Sequence, residues 1–183
     1  MVFLGVAVAI VGALGLLDLL LTFGVIRRLR QHTEMLSRAG GPDIPVIGPV
    51  IGLASGEPVA AFSALTLGGE RLTGASGLRV AGFFSSACPA CPERVGPFAD
   101  YLADHRVARE SVLSVVVAPD DGVPSYADRL IEAGRVCAVR EDSEVLKAFK
   151  VAGFPAFCLL DADGGLVTAS YDPAMLPAPT AAA

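Results

Sequence analysis

Apolar and polar positions change along the chain with the periods of strands and helices in turn. Nearly continuous apolar runs over 78–84 and 111–118 predict strands that are buried on both faces of a sheet. Between them, apolar residues recur at helical spacing from Val95 to Leu102 and predict a helix over about 89–105. Shorter segments of the same kinds predict helices at 125–133 and 143–149 and strands at 136–139, 157–160 and 166–169. Strands separated by helices indicate an α/β sandwich, in which a central mixed sheet has helices on both sides.

Two pairs of short strands are predicted to form hairpins. The segments 62–67 and 70–73 flank Gly68-Gly69, and a two-residue turn is expected there because both glycines can take positive φ. The last two strands are joined by 161–165, a segment of Asp, Ala and Gly with the chemistry of a turn.

The N-terminal segment is long and apolar enough to span a membrane. From Val2 to Ile26 it carries one charge, Asp18, and 25 helical residues at about 1.5 Å each would cover a hydrocarbon core roughly 30 Å thick. A cleavable signal peptide is the alternative, but its basic segment would precede the apolar run, and here the basic residues follow it. We therefore expect residues 1–27 to be a transmembrane anchor, with Asp18 as an acid of unassigned role.

The rest of the chain divides by composition into three regions. Residues 28–51 contain several prolines and glycines and are expected to be a juxtamembrane stalk and linker. Residues 52–171 hold the predicted strands and helices and are expected to form one domain. Residues 172–183 are rich in proline and alanine and are expected to be a disordered tail.

Charge is distributed unevenly along the chain. The net charge is −5, and residues 41–183 carry 10 basic and 17 acidic residues. An acidic globular part without a basic face argues against nucleic acid as a partner. Arg27, Arg28 and Arg30 directly follow the predicted anchor, and this cluster alone favours the cytoplasmic side for the rest of the chain.

Cys88 and Cys91 are three positions apart, directly after a buried strand and at the start of a predicted helix. This spacing brings two sulfurs close enough for a disulfide bond of about 2.05 Å with little backbone movement. If Cys88 is the helix N-cap, the positive end of the helix dipole stabilises its thiolate, and Pro89 then fits the first helical position. We expect Cys88 to attack a substrate disulfide and Cys91 to resolve the resulting mixed disulfide.

A zinc site is the alternative explanation for a Cys-x-x-Cys pair. It would need further ligands, but Cys137 and Cys158 are isolated in apolar segments that are typical of buried cysteines. Neither His32 nor His105 is positioned as a partner by the sequence. We therefore expect no metal and no cofactor.

A proline enters one of the predicted core strands. Gly153-Phe154-Pro155 precedes the strand over 157–160. Proline is disfavoured at the entry to a central strand unless the bond before it is cis or the strand edge is special. A turn proline with a trans bond is the alternative. The order of elements and motifs resembles the thioredoxin superfamily over roughly residues 52–171. It consists of a strand, Cys-Pro-Ala-Cys, a long helix, a strand, a helix and Val-Ala-Gly-Phe-Pro-Ala-Phe. The resemblance implies a thioredoxin-like sandwich in which a cis Pro155 lies beside the cysteine pair and the backbone of Phe154 pairs with a substrate chain.

Within that superfamily the chain is most similar to membrane-tethered members. The hairpin ahead of the first core strand resembles the redoxin or TlpA-like branch, and an anchor joined to such a domain resembles MauD-type accessory disulfide reductases. The resemblance implies a single-pass protein of the cytoplasmic membrane whose catalytic domain is extracytoplasmic, in conflict with the arginine cluster. It also implies exchange with protein thiols or disulfides and with an unidentified electron donor or acceptor.

The residues around the cysteines depart from the usual pattern of the superfamily. Ala87 stands where thioredoxins often carry Trp, and Gly82 stands where they carry a buried acid that assists proton transfer. Pro92 removes an amide from the first helical turn. We expect Ala87, Pro89 and Ala90 to be the neighbours of the two cysteines in the active site.

Two other functions fit the same fold. A thiol peroxidase of the peroxiredoxin type would need a Pro-x-x-x-Thr/Ser-x-x-Cys signature, and counting back from Cys88 gives Ser85 but Ala81 in place of the proline. A non-catalytic metal carrier or scaffold would need a histidine that approaches the cysteines from a later loop. The sequence therefore predicts a membrane-tethered thiol-disulfide oxidoreductase that acts through Cys88 and Cys91, with these two functions as alternatives.

Overall fold

The computed structural model describes residues 49–118 and 122–179. The predicted anchor over 1–27, and the predicted stalk and linker over 28–51 as far as residue 48, lie outside the described residues. Within the described ranges, no helix combines the length and the apolar character needed to cross a membrane.

The described part of the chain contains a hairpin, a five-stranded sheet and three α-helices. The hairpin strands are β1 (Ser63–Leu65) and β2 (Arg71–Thr73), and the sheet strands are β3 (Val80–Ser85), β4 (Val112–Val117), β5 (Arg135–Val139), β6 (Ala156–Leu160) and β7 (Leu166–Ser170). The helices are α1 (Cys91–Asp104), α2 (Ala127–Ala133) and α3 (Glu144–Ala148), and 3-10 turns cover Arg109–Ser111 and Pro173–Met175.

The sheet is mixed, with the strand order β5-β4-β3-β6-β7. Strand β3 is parallel to β4, and β4 is parallel to β5, whereas β6 is antiparallel to both β3 and β7. Every residue of β3 and β4 is buried, as expected for central strands that are covered on both faces. The predicted mixed sheet flanked by helices is therefore confirmed.

Two apolar cores lie on opposite faces of this sheet, because side chains alternate along each strand. Ala81 and Phe83 of β3 belong to the first core, which is closed by the hairpin and α3. Val80 and Phe84 belong to the second core, which is closed by α1 and α2. Strand β3 thus contributes to both cores, and its C-terminal residue, Ser85, is followed three positions later by Cys88.

The first hairpin has a longer loop than the predicted two-residue turn. The amide of Thr66 donates to the carbonyl of Glu70 at 2.8 Å, and that of Gly69 donates to the carbonyl of Thr66 at 2.9 Å. Of the two loop glycines, Gly69 has a positive φ, of 84°. These bonds define a three-residue loop that ends in a left-handed residue. The longer loop is stabilised because the Thr66 hydroxyl also accepts a hydrogen bond from the Glu70 amide, at 3.0 Å.

The last residues of the predicted linker, which the structure describes, pack against the domain. Val50 and Ile51 are buried in the first core. Ile51 forms an antiparallel bridge with Val151, and the Gly52 amide donates to the Lys150 carbonyl at 2.9 Å. Backbone pairing and apolar burial therefore bring this short segment into the domain.

The start of the predicted disordered tail over 172–183 is ordered in the structure. Asp172 pairs with Arg94 of α1 at 2.6 Å, and Leu176 is buried in the second core. The proline and alanine content predicts disorder, but one aspartate and one leucine supply the ion pair and the apolar burial that hold this segment against α1.

Candidate functional site

The cysteine pair lies where β3 ends and α1 begins. The helix starts at Cys91 with Ala90 as its N-cap, so the expectation that Cys88 is the N-cap and Pro89 the first helical residue is wrong. The Cys91 amide donates to the Cys88 carbonyl at 3.2 Å, which closes a turn between the two residues and delays the start of the helix by two residues. The proline in the first helical turn is Pro92, at a position where no intrahelical amide is needed.

The two sulfurs differ in exposure. Both residues are free thiols; Cys88 is partly exposed, and Cys91 is fully buried. Burial raises the pKa of the Cys91 thiol well above its usual range, and the hydrogen bond with Cys88 acts in the same direction. The amide of Ser85 donates to the Cys91 sulfur at 3.4 Å and opposes that shift. The pair thus combines a sulfur that solvent can reach with a sulfur that is held behind it as a thiol.

Phe154 lies opposite Cys88. The Cys88 thiol donates to the Phe154 carbonyl at 3.5 Å, and the Phe154–Pro155 peptide bond is cis. This is the arrangement that the resemblance implies, with Pro155 directly before β6. The backbone carbonyl of Phe154 therefore lies beside the sulfur of the partly exposed Cys88. The substrate-binding role of Phe154 and Pro155 stays a prediction.

The three predicted neighbours of the cysteines form an exposed rim. Ala87, Pro89 and Ala90 are all exposed, on either side of Cys88. The amide of Ala87 donates to the hydroxyl of the buried Ser85 at 3.2 Å, which ties the rim to the end of β3. A partner molecule can therefore approach Cys88 over small side chains.

Aromatic rings fill the space around Gly82. A Cβ atom at Gly82 would lie 2.9 Å from Phe98 and 3.2 Å from Phe84. Phe98 in turn packs against Phe157, with ring centroids 5.0 Å apart. The position where the resemblance places a buried acid is thus enclosed by apolar groups, so the chain has no carboxylate there to move a proton.

Tyr126 is a neighbour of the site that sequence reasoning missed. Its side chain packs against the second core together with Cys88, and its ring lies 6.3 Å from that of Phe84. It lies just before α2, in the segment that follows β4. Parallel strands present their C-terminal ends at the same edge of a sheet, so the parallel pairing of β3 and β4 is the signal that could have brought this segment to the cysteines.

Cys137 and Cys158 do not join the site. Both are fully buried in the first core, whereas Cys91 belongs to the second core on the other face of the sheet. Burial raises the pKa of Cys137 to about 11 and that of Cys158 to about 12. Their surroundings are those of small apolar residues in the core of the domain.

The structure gives no support for a metal site in the described ranges. No group of three or more His, Cys, Asp or Glu residues there is arranged to hold a metal ion. The ring of His105 bonds to the carbonyl of Tyr101 at the far end of α1, at 2.9 Å. His32 lies outside the described residues.

Comparison with known proteins identifies the fold. No family model and no curated protein matches the sequence. The structure is similar to the thioredoxin domain of a thiol-disulfide oxidoreductase from Bacteroides vulgatus, with a TM-score of 0.51, 18% identity, and coverage of 64% of this chain and 88% of that chain. It is also similar to a thiol:disulfide interchange protein from Bacteroides sp., with a TM-score of 0.52, 17% identity, and coverage of 67% and 86%.

A third similar structure is a secreted disulfide oxidoreductase from Mycobacterium tuberculosis that is homologous to E. coli DsbE. Its TM-score is 0.50, its identity is 24%, and the match covers 67% of this chain and 87% of that chain. At these identities the likeness concerns the fold. The described part of the chain therefore has the thioredoxin fold, with Cys88 and Cys91 after the C-terminal end of β3 and cis Pro155 directly before β6.

Proposed function

We propose that the protein is a thiol-disulfide oxidoreductase that exchanges disulfides with protein thiols through its Cys88-Pro89-Ala90-Cys91 centre. The observation that carries this proposal is the pairing of an exposed thiol with a buried thiol, opposite the Phe154 carbonyl. The similar structures from Bacteroides vulgatus and Mycobacterium tuberculosis are described as disulfide oxidoreductases, which supports the same chemistry.

The reaction proceeds by two exchanges of sulfur partners. The Cys88 thiolate attacks one sulfur of a substrate disulfide, that disulfide breaks, and the other substrate sulfur leaves as a thiolate. Cys91 then attacks the Cys88 sulfur, its proton passes to the departing substrate sulfur, and the second substrate thiol is released as the Cys88–Cys91 disulfide forms. The substrate gains two electrons and the protein loses two. The reverse sequence donates the disulfide to a substrate dithiol.

Phe154 and Pro155 are the proposed substrate-binding residues. A backbone carbonyl beside the nucleophile can accept a hydrogen bond from an extended substrate chain, as in other cases of β-strand addition. The small rim residues leave room for such a chain. The substrate is thus a protein thiol or disulfide in an extended segment, and a further electron donor or acceptor regenerates the pair.

The proposed location is the cytoplasmic membrane, with a single anchor over 1–27 and an extracytoplasmic catalytic domain, as in MauD-type accessory proteins. Support comes from the apolar N-terminal sequence and from the persistence of disulfides outside the cytoplasm. Arg27, Arg28 and Arg30 argue for the opposite orientation. A reporter enzyme fused after Ala183, active on one side of the membrane only, tests the orientation; activity on the cytoplasmic side contradicts it.

Reduction of insulin disulfides by the full chain, with dithiothreitol as electron source, tests the activity. We expect turnover that is abolished in Cys88→Ser and retained in the matched variant Cys158→Ala, which removes a buried sulfur on the other face of the sheet. Hydrogen peroxide is the control substrate, because the peroxidase alternative predicts its turnover. An insulin rate in Cys88→Ser equal to that of the parent protein contradicts the proposal.

A further inference from the structure

Tyr126 carries a buried hydroxyl that makes no hydrogen bond to any described residue. A buried polar group without a partner is costly, and folded proteins pair the large majority of such groups. The ring of Tyr126 lies against that of Phe84, at 6.3 Å between centroids, so the hydroxyl belongs to a side chain that packs on the second core.

The cysteine pair and Tyr126 border the same core. Cys91 is part of the second core, and both Cys88 and Tyr126 pack against it. Burial raises the pKa of Tyr126 to about 12, and the charges of Cys91 and then Cys88 act in the same direction. Tyr126 therefore stays protonated at neutral pH and can only donate a hydrogen bond to a thiolate, not accept its proton.

Cys91 is the sulfur that needs such a donor. It is fully buried, so its thiolate is disfavoured, and its described donor is the Ser85 amide at 3.4 Å. At Gly82 of β3, the space is taken by phenylalanine rings rather than by a carboxylate.

We propose that the Tyr126 hydroxyl donates a hydrogen bond to the Cys91 thiolate while Cys91 resolves the mixed disulfide on Cys88. The inference rests on the proposed function. The bond forms as the proton of Cys91 passes to the departing substrate sulfur, because the charged Cys91 sulfur is a stronger acceptor than the thiol. Tyr126 keeps its own proton throughout, and the electron pair on Cys91 forms the new S–S bond.

Other charged groups on the packed elements are neutralised or exposed. On α1, Arg94 pairs with Asp172 at 2.6 Å, and on α2, Arg129 pairs with Asp100 of α1 at 3.3 Å. Glu93, Asp128 and Glu132 on the same helices are exposed, and β6 carries no titratable residue besides the buried Cys158. The groups that raise the pKa of Cys91 are its own burial and Cys88.

The experiment follows the two exchange steps separately in the full chain with 5,5′-dithiobis(2-nitrobenzoate). Attack by Cys88 releases one equivalent of coloured thiolate, and resolution by Cys91 releases a second. In Tyr126→Phe we expect the first phase to be unchanged and the second to be about tenfold slower, with the midpoint of its pH profile about one unit higher. The melting temperature is expected to be unchanged or higher, because the removed hydroxyl has no partner among the described residues.

Tyr101→Phe is the matched control. The hydroxyl of Tyr101, also on the second core, donates to the Pro177 carbonyl at 2.7 Å, so its removal lowers stability but leaves both phases unchanged. A second phase in Tyr126→Phe with the parent rate and pH profile overturns the inference, as does an equal slowing of both phases. Release of a single equivalent by the parent protein contradicts the proposed function itself.

Discussion

Cys91 and Cys158 are both fully buried thiols, yet they lie on opposite faces of the same sheet and have different neighbours. Cys91 begins α1 and is hydrogen-bonded to the partly exposed Cys88. Cys158 lies in the middle of β6, in register with Ala81 of β3, inside the first core. Burial raises the pKa of both thiols, so burial alone does not distinguish them. The difference is the partly exposed Cys88, because a disulfide exchange at Cys88 can oxidise or reduce the buried Cys91.

Labelling of the native protein with iodoacetamide is expected to show the largest difference. Cys88 is reachable by the reagent, whereas Cys137 and Cys158 become reachable only when the core opens. Since opening of a core is rare, we expect Cys88 to react at least about a thousandfold faster. Peptide mass spectrometry after timed labelling measures the rates; comparable rates for Cys88 and Cys158 would remove the basis of the comparison.

Alkaline pH is expected to lower stability through the buried thiols of the first core. Unfolded thiols ionise near pH 9, whereas the folded pKa is about 11 for Cys137 and about 12 for Cys158. The stability that each protonated thiol contributes is therefore complete below pH 9 and is lost as the pH rises toward the folded pKa. Over that range the free energy of unfolding falls by up to about 1.4 kcal/mol per pH unit for each thiol. Urea unfolding at pH 8 to 11 measures this slope. If the free energy of unfolding falls as steeply with pH in Cys158→Ala as in the parent protein, the pH dependence does not come from the Cys158 thiol.

Gly82→Ala tests how tightly the second core is packed around Phe98 and Phe84. The added methyl group would lie 2.9 Å from Phe98, and we expect overpacking to cost about 1 to 3 kcal/mol. Denaturant unfolding gives the change in the free energy of unfolding. Ala81→Gly on the first-core side of β3 is the control for the backbone. A fully stable Gly82→Ala protein would show that the rings can move aside, leaving room for an acid at this position.

Removal of either buried sulfur by substitution with alanine is expected to have the smallest effect on stability. Cys91→Ala and Cys158→Ala each remove one sulfur from a packed core, and we expect each to cost about 1 kcal/mol. The two variants are expected to differ in insulin reduction, which only Cys91→Ala impairs. Equal activities would contradict the distinction between the two thiols.

The periodicity of the sequence is enough to predict the central strands and the long helix, because β3 and β4 are buried on both faces and α1 on one. It does not predict where α1 begins, since the turn between Cys88 and Cys91 depends on one backbone hydrogen bond. Nor does it predict the packed start of the tail, where Leu176 and Asp172 act through contacts with a distant helix.

Part of the candidate site was predictable from residues that are close together in the sequence. The spacing of Cys88 and Cys91 is local, and Phe154-Pro155 is a motif, so both could be read from the sequence. Tyr126 could not, because its place beside the cysteines follows from the pairing of β3 with β4 and has no local sequence signal.

The most direct test of the central claim, that Cys88 and Cys91 form one exchanging pair, is the intact mass of Cys91→Ser after incubation with a disulfide substrate. We expect a mixed disulfide on Cys88 that persists, because the residue that resolves it is missing. Cys88→Ser is expected to form no such adduct. A Cys91→Ser protein that carries no adduct and reduces insulin at the parent rate would contradict the account.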